Sequence, residues 1–390
     1  MPSFHHVSEF DYKREAKYLS KILKQCATAH TLDVDFLLNY FSSYTNEQRL
    51  IIIDDLAYEY NYKLIDMVLE RSASPVRSCL LAMLVESIEL YVRHFHDILY
   101  QKQTGQIEND ISRNLLEILL TLNNDEAKQF TETYESLFST SVNNDIELVQ
   151  GEENVITKLL IDILKGKRLE EPLSSSSLAK TIAKKLYEGE EGTSVIDIDT
   201  FIKIFTRDAF SQLSTIFDFY EDLYKNPIEQ AIDKNFSGEI ERECFRDMIE
   251  FIRSPSVYYS RILRRAIKSD PIDYATLIRT IIGHEEKDLC EIQLEYSKLF
   301  EETLEQHIQT TINISDIRSF FLKILQKNQD HSPTDGDDSD EPVRFDHVNN
   351  SNALHQSTTQ LQMQHMSELR RIRSHEAFDK LIHVFKPKRH

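Results

Sequence analysis

Residues 267–308 read IKSDPIDYATLIRTIIGHEEKDLCEIQLEYSKLFEETLEQHI. At 3.6 residues per turn this stretch gives three short amphipathic helices in succession. Leu277, Ile278, Ile281 and Ile282 share one face, then Leu289, Ile292, Tyr296, Leu299 and Phe300, then Leu304 and Ile308. The breaks are written in as well: Pro271 disfavours the α region at Asp270, and Gly283-His284-Glu285 separates the first two helices. The same order of parts recurs three more times upstream, which predicts a helical repeat protein.

Composition agrees. Eight glycines and nine prolines in 390 residues leave few turns for a β-rich or α/β fold, and 41% apolar residues supply a sizeable core. Net charge is −20, unevenly spread: 361–390 holds seven basic and three acidic residues, so the rest of the chain carries −24. An acidic body repels phosphate backbones, which argues against nucleic acid as a partner. Cys26, Cys79, Cys244 and Cys290 have no CxxC spacing and read as reduced thiols of a reducing compartment. No apolar run reaches the roughly 20 residues that span a bilayer, and the first residues, MPSFHHVSEFDYKRE, lack an apolar signal core. Membrane contact is therefore expected to be peripheral, and the location cytoplasmic.

Thr276-Leu277-Ile278-Arg279, within AIKSDPIDYATLIRTIIGHEEKDL, resembles the fourth repeat of an annexin. Phe201-Ile202-Lys203-Ile204-Phe205-Thr206-Arg207, followed by Phe217-Asp218-Phe219-Tyr220 and Ser237-Gly238, is similar to the third. The resemblance covers about residues 10–326. It implies an all-α fold of four five-helix repeats forming one curved disc, here at 11–86, 87–168, 178–255 and 256–326. The linker 169–177, with its Pro and serine run, reads as a flexible joint, and 327–390 as an acidic disordered tail ending in a basic helix. In repeat I, Thr31 is the expected N-cap of the second helix, with Asp33 and Asp35 near its positive end.

The resemblance also implies calcium-dependent phospholipid binding, through a glycine-bearing loop before each second helix and a carboxylate further on. Calcium takes six to eight oxygen ligands, and glycine lets backbone carbonyls converge on it. The residues here depart from that pattern. Repeat IV has Lys268-Ser269-Asp270-Pro271-Ile272 in place of KGxGT, and Thr310-Thr311-Ile312-Asn313 where the acid belongs. Repeat I reads Ala27-Thr28-Ala29-His30-Thr31, and Arg71 falls at or next to the expected acid. Repeat II has Gly105 off register, with Glu152 and Glu153 near the acid. In repeat III, Gly189, Glu190, Glu191 and Gly192 are the weak metal candidates left, with Asn235 replacing the acid. Calcium is therefore at most a weak ligand. Asp270 and Asp273 read as helix-capping acids.

Enzyme chemistry finds no support: there is no P-loop, GxGxxG, HExxH or nucleophile elbow, and His94 and His96, two apart on a helix, face different directions. The remaining signal is at the end. Residues 330–346 carry seven acids and one Arg, a composition that does not order itself. Beyond them Met366, Leu369, Ile372, Leu381, Ile382 and Phe385 recur near helical spacing beside Arg370, Arg371, Arg373 and Lys380, before Lys386, Lys388 and Arg389. That is a basic amphipathic helix candidate for membrane or partner contact. The expected function is a peripheral scaffold on anionic phospholipid with weakened or lost calcium dependence. The alternative is a cytoskeletal role, since the giardin type of annexin, similar in its degenerate loops, is associated with cytoskeleton. Arg279 and Arg207 are expected inside, each satisfying several oxygens.

Overall fold

The computed structural model describes residues 10–29, 31–170, 175–188 and 198–329. Among them are twenty helices and no strand, in four runs of five. The first run is α1 (Tyr12–Ala29), α2 (Val34–Phe41), α3 (Asn46–Tyr60), α4 (Leu64–Arg71) and α5 (Val76–Met83). The second is α6 (Ser87–Gln103), α7 (Ser112–Leu120), α8 (Asn124–Phe138), α9 (Val142–Gln150) and α10 (Val155–Leu164). The third is α11 (Ser176–Glu188), α12 (Ile198–Arg207), α13 (Phe210–Tyr224), α14 (Glu229–Asn235) and α15 (Glu239–Arg253). The fourth is α16 (Pro255–Lys268), α17 (Tyr274–His284), α18 (Leu289–Phe300), α19 (Leu304–Thr311) and α20 (Ser315–Gln329).

Short polar residues start many of these helices because their side chains take up the free N–H groups of the first turn. Thr45 with Gln48, Asn123 with Glu126, and Thr303 with Gln306 form reciprocal capping boxes on α3, α8 and α19. Asp273 caps α17 as expected. On α2 the cap is Asp33, which accepts from Phe36 N at 3.0 Å, and not Thr31, which lies two residues too early to reach that amide. The four repeats share an ending: α3, α8, α13 and α18 each stop at a left-handed residue, Asn61, Ser139, Lys225 and Glu301. None of these is glycine, so the same turn recurs without the residue that marks it most cheaply.

By its contacts the chain divides into two units, residues up to Leu84 together with those from Ile314 onward, and Val85–Asn313. In the first, α1 packs on α3, and α2 and α4 on α5. The last helix, α20, lies on α2 and α5, and its Lys327 ammonium donates to Ser42 O at the end of α2. In the second unit the pairs α6 with α8, α11 with α13, and α16 with α18 carry much of the packing. Cross-links run from α10 to α12, α7 to α15 and α6 to α17.

The flanks of the linker are bound down rather than loose. Arg168 donates to Phe205 O and Asp208 O at 2.9 and 2.7 Å with its guanidinium 4.1 Å above the Phe210 ring. Leu169 N donates to Arg207 O, Asn124 N to Glu170, and Ser175 N to Gln212. Ser176 and Ser177 already belong to α11. One guanidinium that satisfies free carbonyls near the end of α12 is enough to pin the chain there. Gly283 is not a break either, since α17 runs through it to His284. A Cβ at this position would lie 2.3 Å from the Tyr91 hydroxyl, so glycine is required for α6 and α17 to approach.

Candidate functional site

The connections between fourth and fifth helices, where the resemblance puts the calcium carboxylate, hold built-in cations in three repeats. After α4, Arg77 donates from Nε to Ser72 O at 2.9 Å. After α9, Lys158 Nζ meets Glu153 at 2.9 Å. After α14, Arg242 Nη1 donates to Phe236 O at 3.0 Å and Ser237 O at 2.7 Å. The loop between α6 and α7 repeats the device: Lys102 Nζ donates to Glu108 O at 2.7 Å and Asn109 O at 3.0 Å. In the fourth repeat, Asp273 is spent as a cap, accepting from Thr276 N and Thr276 Oγ1 at 3.0 and 2.7 Å. Gly189, Glu190, Glu191 and Gly192 lie outside the described residues, as do Arg370, Arg371, Arg373, Lys380, Lys386, Lys388 and Arg389. Among the described residues no group of three His, Cys, Asp or Glu side chains is placed to hold a metal.

The second concentration of polar groups is buried between α6, α7, α16 and α17. Arg279, 3% exposed, donates from Nη2 to Glu117 Oε1 at 2.7 Å, and Glu117 is 2% exposed. Thr276 Oγ1 at 3.2 Å and His94 Nδ1 at 3.4 Å complete its partners. Burial alone would lower the Arg279 pKa, but the Glu117 charge and hydrogen bond outweigh it and raise it. His94 is pushed down to about 3, first by desolvation and then by the Arg279 charge, so it is neutral at pH 7 and accepts from Arg279. Glu117 Oε2, Arg279 Nε, Thr280 Oγ1 and the hydroxyls of Tyr91 and Tyr259 are buried without protein partners around a cavity of about 10 Å³. That volume is close to the least that holds one water. A guanidinium and a carboxylate facing the same space favour a neutral occupant over an ion, and the space is no larger than one water needs.

Arg279 is thus where the sequence placed it. Arg207 is half-exposed instead: its guanidinium reaches back to Asp162, which is 7% exposed and also accepts from Thr206 and Lys165. Burial opposes ionisation of Asp162, but these hydrogen bonds overcome it and lower its pKa. Glu117 and Asp162 went unmarked in the sequence, although each is a lone acid in an apolar run, LLEILL and LLIDIL. His94 and His96 share no metal geometry. His96 stacks on Phe138 at 3.6 Å and is held at about 4, mainly by burial.

Four repeats of five helices, with polar loops at the helix junctions and an arginine–carboxylate pair inside, define an annexin-type helical repeat protein. A sequence model of the Annexin family matches residues 182–245. Annexin A13 of Mus musculus is 26% identical over 83% of this chain and 97% of its own length, and annexin B10 of Drosophila melanogaster is 25% identical over 83% and 98%. Among solved structures, annexin III superposes with a TM-score of 0.73 at 22% identity over 81% of this chain and 94% of its own. Calcium-bound alpha-14 giardin superposes at 0.62 and 14% identity, over 80% and 99%. The family model, the annexin relatives and the annexin structures all support an annexin family member. Annexins are generally non-enzymatic proteins that bind phospholipid with calcium. No described helix is long and apolar enough to cross a membrane.

Proposed function

We propose that this annexin is a cytoplasmic scaffold on anionic phospholipid whose attachment depends little on calcium. The carrying observation is that loop oxygens of repeats I, II and III are already paired with side-chain cations. Arg77 holds Ser72 O, Lys102 holds Glu108 O and Asn109 O, Lys158 holds Glu153, and Arg242 holds Phe236 O and Ser237 O. A calcium ion needs six to eight oxygens in one shell. Here it would have to displace an ammonium or guanidinium already seated on them, against the repulsion of like charges. These pairings support a weak fit of the described loops to the ion, least so at the exposed Lys158–Glu153 pair. Basic residues Arg370, Arg371, Arg373, Lys380, Lys386, Lys388 and Arg389 supply a calcium-independent contact to anionic lipid, each worth about 1 kcal/mol near the surface.

Co-sedimentation with phosphatidylserine vesicles, in millimolar calcium and in chelator, tests this reading. Similar pelleting in both conditions is expected, and pelleting confined to calcium overturns it. Truncation after Thr359 should weaken binding in chelator at low salt; unchanged binding removes the tail from the mechanism.

A further inference from the structure

Helix α1 carries a feature that the loops and the tail do not explain. Its cations are Lys13, Arg14, Lys17, Lys21 and Lys24, and the side chains of all five are exposed. At 100° per residue they fall within an arc of about 100°, and Lys13 to Lys24 spans about 16 Å along the axis. No acid falls in that arc. The opposite face, with Ala16, Leu19, Leu23 and Cys26, is buried, and α1 packs there on α3. A chain with 65 acids and 45 bases has thus set five bases in a row on one exposed helical face. The acids nearby stand at the margins. Asp11 caps the helix start, and Glu15 is bound by Arg14 and by the Tyr40 and Tyr44 hydroxyls. Asp55 on α3 feels the Lys13 charge. Lys17 and Lys21 lie in the middle of the row.

Aromatic rings edge the row. Tyr18 is 47% exposed, with the rings of Phe36 and Tyr40 at 6.3 and 6.2 Å. Long lysine stems beside half-exposed tyrosine and phenylalanine suit a surface that is apolar beneath and charged on top, because each side chain has an apolar body and a polar tip. The overall −20 does not forbid the contact. At physiological salt the Debye length is about 8 Å, so a docked face feels its own charges and little of the rest.

From this geometry we infer that the exposed face of α1 is a calcium-independent docking surface for an anionic phospholipid membrane. The inference rests on the phospholipid reading above and adds a second contact, on the folded body. Removing one cation near an anionic surface forfeits about fivefold in partitioning, so Lys17→Gln with Lys21→Gln should weaken it about thirtyfold.

The measurement is partitioning of the full chain onto mixed phosphatidylserine and phosphatidylcholine vesicles in chelator. The double Gln variant should melt with the wild type and lose that thirtyfold, Lys17→Arg with Lys21→Arg should retain binding, and phosphatidylcholine alone should bind neither. If the double Gln variant partitions like the wild type in chelator, the inference falls while the phospholipid reading stands. If pelleting needs calcium, that reading falls first. The acidic segment 330–346 of the same chain is the rival occupant of this face. Carbodiimide cross-links from Lys17 or Lys21 to its carboxylates on vesicle-bound protein would give the face to that segment and overturn the inference; their absence supports it.

Discussion

The Arg279–Glu117 pair shows how much a single contact sets. Both groups are out of water, so removing one leaves the other charged, buried and unpaired, at a cost of about 3–5 kcal/mol. Arg279→Ala should therefore lower the melting temperature by many degrees, and an unchanged transition would refute the structural role. Arg279→Met combined with Glu117→Leu should cost less than either single change, because no lone charge remains. His94 adds a pH dependence. Its pKa is depressed in the folded chain to about 3 against an ordinary 6.5, so the unfolded chain binds more protons between these values. The stability it contributes is complete above pH 6.5 and is lost as pH falls toward 3, by up to about 1.4 kcal/mol per pH unit. In thermal melts between pH 7 and 5, His94→Gln should flatten part of the wild-type decline. Arg279 was legible because it stands in a recognisable run. Glu117 was not, since nothing local says that an acid in an apolar helix faces an arginine 162 residues away.

At the scale of elements, the helices were legible and their joints less so. Apolar spacing marks α17, α18 and α19 directly, because burying one face leaves a period of 3.6 in the sequence. Gly283 misled, since glycine signals both a helix end and a close approach, and only the position of Tyr91 decides between them. Gly283→Ala tests this. Ala favours a helix by about 1 kcal/mol over Gly at an open position, but here its Cβ meets the Tyr91 ring and hydroxyl. The overpacking should cost about 1–3 kcal/mol instead. Urea unfolding should show the loss, and Tyr91→Phe should recover part of it; a stabilised Gly283→Ala would mean α6 and α17 are not this close. The cation-held loops were hidden for a similar reason. Lys158 and Arg242 lie in the opening turns of their helices and read as ordinary surface charges until their distances to loop oxygens are known.

For the molecule as a whole, the charge pattern and the loop chemistry converge on one expectation for calcium. A ligand that binds only the folded chain stabilises it by RT ln(1 + [L]/Kd), about 2.7 kcal/mol when the ligand stands at a hundred times its Kd. A functional annexin loop should then raise the melting temperature by several degrees in millimolar calcium. In this chain Arg77, Lys102, Lys158 and Arg242 already pair with described loop oxygens in three repeats, and Asp273 of the fourth is committed to the start of α17. Melting curves in chelator and in millimolar calcium should therefore nearly coincide. The comparison should be made on each thermal transition, since a chain of two contact units need not unfold in one step. A rise of several degrees in any transition would show a working site, and Glu190→Ala with Glu191→Ala would then report whether these two acids help to hold it.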